Sequence, residues 1–162
     1  MKEYYTYYDS PIGKLRIVAS EKGISQIVLD AIQNPISEEY ERKEISIMKE
    51  AIRQLQEYFD HKRTTFDLLL NPAGTEFQKK VWNALTTIPY GETKTYKDIA
   101  EAIDCPKGFR AVGLSNNKNP IIIVYPCHRV IGSNGKLVGY AGGLDLKEKL
   151  LQLENKQLAY DL

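Results

Sequence analysis

The sequence predicts an α/β chain of the α+β kind: a small N-terminal β-sheet with one helix, then a mainly helical C-terminal part with a helix-turn-helix. Three observations predict it. The first thirty residues alternate β-branched and aromatic runs with turn residues. Ile45, Met48, Ile52, Leu55 and Phe59 then recur at spacings of 3, 4, 3 and 4, one face of an amphipathic helix. After Asn71-Pro72-Ala73-Gly74, apolar residues come in short helical groups punctuated by Gly and Pro. A chain of 162 residues buries a self-sufficient core as one large or two small domains. The break at Pro72 predicts domains at 1–71 and 72–162.

Taken in order, Glu3 to Tyr8, Lys14 to Ser20 and Ile24 to Leu29 read as a β-meander, with turns at 9–13 and 21–23. Tyr4, Tyr5, Tyr7 and Tyr8 suit sheet packing, with a base-stacking platform as the alternative. The helix from Glu44 to Phe59 covers the meander. Nothing in this half carries evident chemistry, so it reads as a scaffold.

The second half opens at Thr75, whose hydroxyl caps a helix carrying Phe77, Val81, Trp82 and Leu85, with Gln78 completing a capping box. Ile88-Pro89-Tyr90-Gly91 ends it. Thr95 and Asp98 form a second box before Tyr96, Ile99, Ala100 and Ile103, and Asp104-Cys105-Pro106-Lys107 turns into a short helix from Gly108 to Asn116. Two short helices joined by such a turn read as a helix-turn-helix. The second is rich in small residues (Gly108, Ala111, Gly113, Ser115), which let a backbone approach a neighbouring surface closely. Ser133-Asn134-Gly135 is a strong hairpin signal. A last helix places Lys147, Leu150, Leu151 and Glu154 on one stripe.

Composition excludes several classes. Two cysteines, Cys105 and Cys127, and two histidines, His61 and His128, show no metal-ligand spacing, so no structural zinc and no cofactor is expected. No apolar run approaches the ~18 residues of a membrane span, and no secretory leader follows Met1, so an intracellular, cytoplasmic protein is expected. Net charge is +1 overall, but residues 72–143 hold nine Lys and Arg against five Asp and Glu. That local excess suits light contact with a polyanion.

Pro126-Cys127-His128-Arg129 concentrates the chemistry, setting a thiol beside an imidazole and a guanidinium after the apolar run Pro120 to Tyr125. Such neighbours lower a thiol pKa and favour the nucleophilic thiolate. The residues alone leave a second reading, a small buried hydrophobe ending a core strand.

The surrounding motifs decide between them. Phe77-Gln78-Lys79-Lys80-Val81-Trp82, Ile88-Pro89-Tyr90-Gly91-Glu92, Thr95-Tyr96, Arg110-Ala111-Val112-Gly113, Asn119-Pro120, Pro126 to Gly132, Gly139-Tyr140-Ala141-Gly142-Gly143 and Leu150 to Glu154 stand in the order and spacing of one family. The chain resembles the O6-alkylguanine-DNA alkyltransferases, densely over roughly residues 72–155. The resemblance implies a ribonuclease H-like N-terminal domain and a winged-helix-like C-terminal one. It implies direct-reversal repair, with a flipped O6-alkylguanine, and possibly O4-alkylthymine, in duplex DNA passing its alkyl group irreversibly to Cys127.

The resemblance also distributes roles. His128 acts on Cys127 through a bridging water and Glu154 orients the imidazole. Tyr96 helps to displace the nucleotide and protonates guanine N3; its bland alternative is a core aromatic. Arg110 fills the gap in the stack, with Ala111 and Gly113 against the minor groove; its alternative is a surface salt bridge. Asn119 holds the active-site turn, while Val130, Tyr140, Ala141, Gly142 and Lys147 belong to the substrate pocket. Some members carry a zinc in the N-terminal region, where this chain has His61 and no cysteine. Two positions depart from the family, Tyr125 in place of an aliphatic residue and Ile122 near a frequent proline. The partner implied is double-stranded DNA containing O6-alkylguanine, bound by a monomer. A lesion-recognition protein of the alkyltransferase-like type is the alternative function, but such proteins lack the cysteine. A thiol hydrolase would need an acyl substrate and an oxyanion hole.

Overall fold

The computed structural model describes residues 1–135, 137, 139, 140 and 143–155. The chain divides into two compact units, Met1–Ala73 and Gly74–Leu162.

In the first unit, β1 (Tyr4–Ser10), β2 (Gly13–Ser20) and β3 (Gly23–Leu29) form the antiparallel meander, and α1 (Ser46–Phe59) packs on it. β1 runs on through Ser10, which narrows the first turn to Pro11-Ile12. A fourth strand, β4 (Glu41–Arg42), lies parallel to β1 and gives the sheet order β3-β2-β1-β4. Sequence reading missed it because two charged, exposed residues carry no alternation; backbone bonds from Glu41 to Glu3 (3.1 Å) and Lys43 to Tyr5 (3.1 Å) define it.

Central β2 is buried at every position from Leu15 to Ser20. Leu15, Ile17, Ile24 and Ile27 meet Met48, Ala51, Leu55 and Tyr58, all fully buried, to form the core. The helix is rolled slightly from the apolar stripe, so Ile45 and Ile52 are only half-buried while Gln54 is enclosed. Gln54 exchanges two 2.9 Å hydrogen bonds with the backbone of Asp67 and fastens the returning segment. Gly23, at φ 135°, admits no side chain, since a Cβ would stand 2.8 Å from the Leu69 carbonyl oxygen. The β1 tyrosines are engaged by their own unit: Tyr5 and Tyr7 pack edge to face at 5.8 Å, and Lys14 and Arg42 lie over Tyr7.

In the second unit, α2 (Glu76–Leu85) and α3 (Tyr96–Ala102) both begin with reciprocal capping boxes, Thr75 with Gln78 and Thr95 with Asp98. The chain turns through Asp104, at φ 60°, into α4 (Phe109–Asn117), and α2, α3 and α4 pack against one another. The buried Trp82 indole donates to the Ser115 carbonyl at 2.8 Å and stacks on Tyr125, which locks α2 to α4 and accounts for an aromatic residue at 125.

The apolar run before Cys127 is a tight loop, not the core strand of the second reading. Bonds from Val124 to Ile122, Tyr125 to Ile121 and Cys127 to Tyr125 fold it back on itself, and Ile123 sits at φ 74°. A β-branched residue there is strained. Cys127–Arg129 forms a 3-10 turn, followed by β6 (Val130–Ile131), which pairs in parallel with β5 (Lys94–Thr95). Ser133-Asn134-Gly135 does turn, with Gly135 bonded to Gly132 at 2.9 Å, yet among the described residues β6 finds its partner in β5 and not across a hairpin. α5 (Leu144–Glu154) packs on the Cys127 turn through Leu146, Lys147, Leu150 and Glu154.

Candidate active site

Asn119 builds the turn that presents the cysteine. Fully enclosed, it donates to the Tyr125 carbonyl at 2.7 Å and accepts from the Ile121 amide at 2.9 Å, spanning the strained Ile123 loop. Cys127 therefore sits inside the unit, with no exposed surface. Burial pushes its thiol up to about 11, against hydrogen bonds from the Asn119 and Tyr140 side chains and the Lys147 charge. This corrects the expectation of a thiol acidified by its neighbours: desolvation disfavours the anion more than the neighbours favour it. Cys127 therefore rests as a neutral thiol.

His128, also fully buried, points Nε2 at Glu154 Oε2, 2.6 Å away. A carboxylate only accepts, so Nε2 carries the proton and Nδ1 keeps the lone pair of the neutral ring. Nδ1 is buried and makes no hydrogen bond to a described residue. Burial lowers the His128 pKa, Glu154 opposes that, and the Arg129 and Lys147 charges reinforce it.

Arg129 completes the arrangement, a role that the motif alone did not assign. Its Nε donates to Glu154 Oε1 at 2.7 Å, Nη2 to Oε2 at 3.0 Å and Nη1 to the Ile88 carbonyl at 2.7 Å. Burial works to raise the Glu154 pKa, but the bonds and charges of His128 and Arg129 outweigh it and hold the carboxyl well below the usual range. A negative charge at a helix C-terminus opposes the helix dipole, and these two partners explain why it is there.

Tyr96, the first residue of α3, lies against the same centre, and its phenol is raised by burial and by Cys127, with a hydrogen bond from Asn116 acting the other way. Asn116 is a second residue missed in the sequence. It is buried and donates to the Cys127 carbonyl at 3.3 Å, so it links the phenol to the backbone of Cys127. Its signal was weak, one asparagine in an Asn-Asn pair at a helix end. The Lys147 ammonium stands 5.8 Å from the Tyr96 ring centroid and donates to the Gly139 carbonyl at 3.2 Å; burial lowers its pKa to about 8.

Cys127, His128, Glu154, Tyr96, Asn119, Tyr140 and Lys147 thus converge. Val130 follows the Cys127 turn, buried in the β5–β6 pair. Arg110 and Ala111 are apart from this centre, exposed on α4, and Arg110 has no ion pair with a described residue. Ala141 and Gly142 lie outside the described residues.

Two of the small residues at α4 are constrained from within the unit. A Cβ at Gly108 would meet the Cys105 sulfur at 2.6 Å and Ser115 is buried, whereas Gly113 leaves room for a Cβ at 3.8 Å from the Tyr96 ring. Among the described residues no three His, Cys, Asp or Glu gather as a metal site, and no helix is long and apolar enough to cross a membrane.

A capped helix-turn-helix beside a buried Cys-His-Glu centre defines a class that the comparisons identify. The family model described as "6-O-methylguanine DNA methyltransferase, ribonuclease-like domain" matches residues 3–72, and the one described as "6-O-methylguanine DNA methyltransferase, DNA binding domain" matches residues 76–156. The chain belongs to the 6-O-methylguanine DNA methyltransferase family. It is 52% identical to the methylated-DNA--protein-cysteine methyltransferase of Methanosarcina barkeri over 96% of this chain and 99% of that one. The Mycobacterium tuberculosis O6-methylguanine methyltransferase superposes with a TM-score of 0.88 at 42% identity, covering 95% of this chain and 93% of the other. The M. tuberculosis OGT solved in complex with DNA gives 0.86 at 42% identity, over 95% and 94% of the two chains.

Proposed function

We propose that this chain repairs O6-alkylguanine in double-stranded DNA by direct reversal, taking the alkyl group onto Cys127 in a single, irreversible turnover. The observation that carries this reading is the buried Cys127 turn backed by the His128–Glu154 pair at 2.6 Å. The α3–α4 pair meets the duplex, Arg110 occupies the gap, and the lesion swings out at a cost of ~a few kcal/mol in lost stacking.

The thiol proton passes through a water to His128 Nδ1, which is free to accept it because Glu154 holds the other ring nitrogen as donor. The thiolate attacks the alkyl carbon, the S–C bond forms and the O6–C bond breaks with its electron pair on guanine. Tyr96 protonates N3 of the leaving purine, and the proton held by His128 returns to the phenolate through water. The net change is thiol plus alkylguanine to thioether plus guanine. A thioether is not hydrolysed by this site, so each chain acts once. Asn119, Val130, Tyr140, Ala141, Gly142 and Lys147 form the surroundings of the base, and the protein acts as a monomer inside the cell.

The test is mass measurement after incubation with a duplex bearing one O6-methylguanine. A gain of about 14 Da on the Cys127 peptide, saturating at one equivalent and absent in Cys127→Ser, supports the proposal. Tight lesion-dependent binding without mass gain would make the chain a recognition protein instead.

A further inference from the structure

We infer that Leu114 is a DNA contact at the centre of the α4 face, an apolar wedge between two cations that enters the groove of the duplex. The inference rests on the proposed repair of DNA and adds a residue that neither the motifs nor the active-site geometry assigns.

α4 turns Val112, Ser115 and Asn116 inward and leaves Arg110, Ala111, Leu114 and Asn117 outside. Leu114 is 66% exposed, more than any other large apolar side chain among the described residues except Met1. Arg110, Leu114 and exposed Lys118 follow at four-residue spacing, so the leucine lies on one stripe with a cation a turn to either side. Neither cation has an ion pair with a described residue.

A leucine two-thirds exposed contributes little to the packing of its own unit. The flanking charges select its occupant: the same face of a second copy would bring like charges together, whereas a duplex offers the vacated stack to Arg110, a phosphate to Lys118 and apolar sugar edges between them. Eight residues of helix set the cations about 12 Å apart, so with Arg110 inside a minor groove of about 6 Å width, Lys118 reaches the phosphates at its edge. Apolar side chains placed in the minor groove part the base steps and bend the duplex, which suits a protein that must extrude a base. Phe109, the other exposed apolar residue of α4, lies about 140° round the helix from Leu114 with Gly113 one turn on, and it has no such flanks.

The experiment measures affinity for a short duplex across a salt series. Leu114→Ala is expected to weaken binding about tenfold at every salt concentration with an unchanged slope, since it removes apolar contact and no charge. Lys118→Ala is expected to flatten the slope by about 0.9. The Leu114→Ala melting temperature and its rate of alkyl transfer from free O6-benzylguanine stay at wild-type values. Unchanged duplex affinity overturns the inference. So does parallel loss of transfer from the free base, which would put the leucine in the pocket, or loss of self-association alone, which would put a second copy on the face. If the wild type transfers from the free base but binds no duplex, both readings fall. If it binds duplex without transferring alkyl groups, the repair reading falls and the Leu114 result still decides the inference.

Discussion

His128 Nε2 lies 2.6 Å from Glu154 Oε2, and Arg129 grips the same carboxylate through both of its oxygens, with all three side chains buried. The guanidinium keeps the carboxylate charged, and the carboxylate in turn keeps the imidazole proton on Nε2. Glu154→Gln leaves the shape but lets the amide donate to the ring, which displaces that proton. The single-turnover rate is expected to fall about 100-fold or more. Leaving Arg129 buried without its counter-charge is expected to cost about 3–5 kcal/mol in denaturant unfolding. Wild-type rates in this variant would remove Glu154 from the mechanism.

Cys127 and Lys147 pull stability in opposite directions at alkaline pH. The folded thiol, pushed up to about 11 by burial, keeps its proton where the unfolded thiol has lost it, so stability falls as pH rises between those values. The folded Lys147, lowered to about 8 by burial, has lost its proton where the unfolded lysine holds one, so stability rises over a nearly coincident window. Wild-type stability is expected to stay nearly level from about pH 8 to 10, to climb in Cys127→Ser and to decline in Lys147→Met. Urea titrations at each pH read this, and parallel curves for the three proteins would refute it.

Small alkylating reagents should find the wrong cysteine first. Cys105 is partly exposed, whereas Cys127 is buried and its thiol titrates near 11. At pH 8 that leaves about one thiolate in a thousand. Peptide mapping after brief iodoacetamide treatment of the free protein is expected to show Cys105 modified at least ~10-fold faster, given buried and exposed thiol behaviour. Faster labelling of Cys127 would mean that the turn opens without DNA.

Asn119→Ala removes both bonds that span the Ile123 loop and leaves the Ile121 amide and Tyr125 carbonyl buried without that partner. A loss of about 1–3 kcal/mol is expected, from the stranded Ile121 amide, since the Tyr125 carbonyl keeps its bond from the Cys127 amide. The alkyl-transfer rate should fall with it, and Asn119→Asp should recover part of the loss by keeping the acceptor for Ile121. Unfolding curves and single-turnover rates of the two variants test the point.

Much of this protein is legible in its sequence because the signals are local. Turn residues delimit the meander, capping boxes announce α2 and α3, and period 3.6 finds α1 and α5, since each depends on residues within a few positions of one another. The order of short motifs carries the family in the same way. Contacts between distant residues are not written locally, and there the tertiary structure decides. Strand β4 forms only because β1 offers an edge, and Ile123 adopts its strained conformation because Asn119 spans it. Gly108 is small because Cys105 stands beside it. The thiol's state depends on solvent exclusion by the whole unit, a long-range quantity that the neighbouring His128 and Arg129 misrepresent when read along the chain.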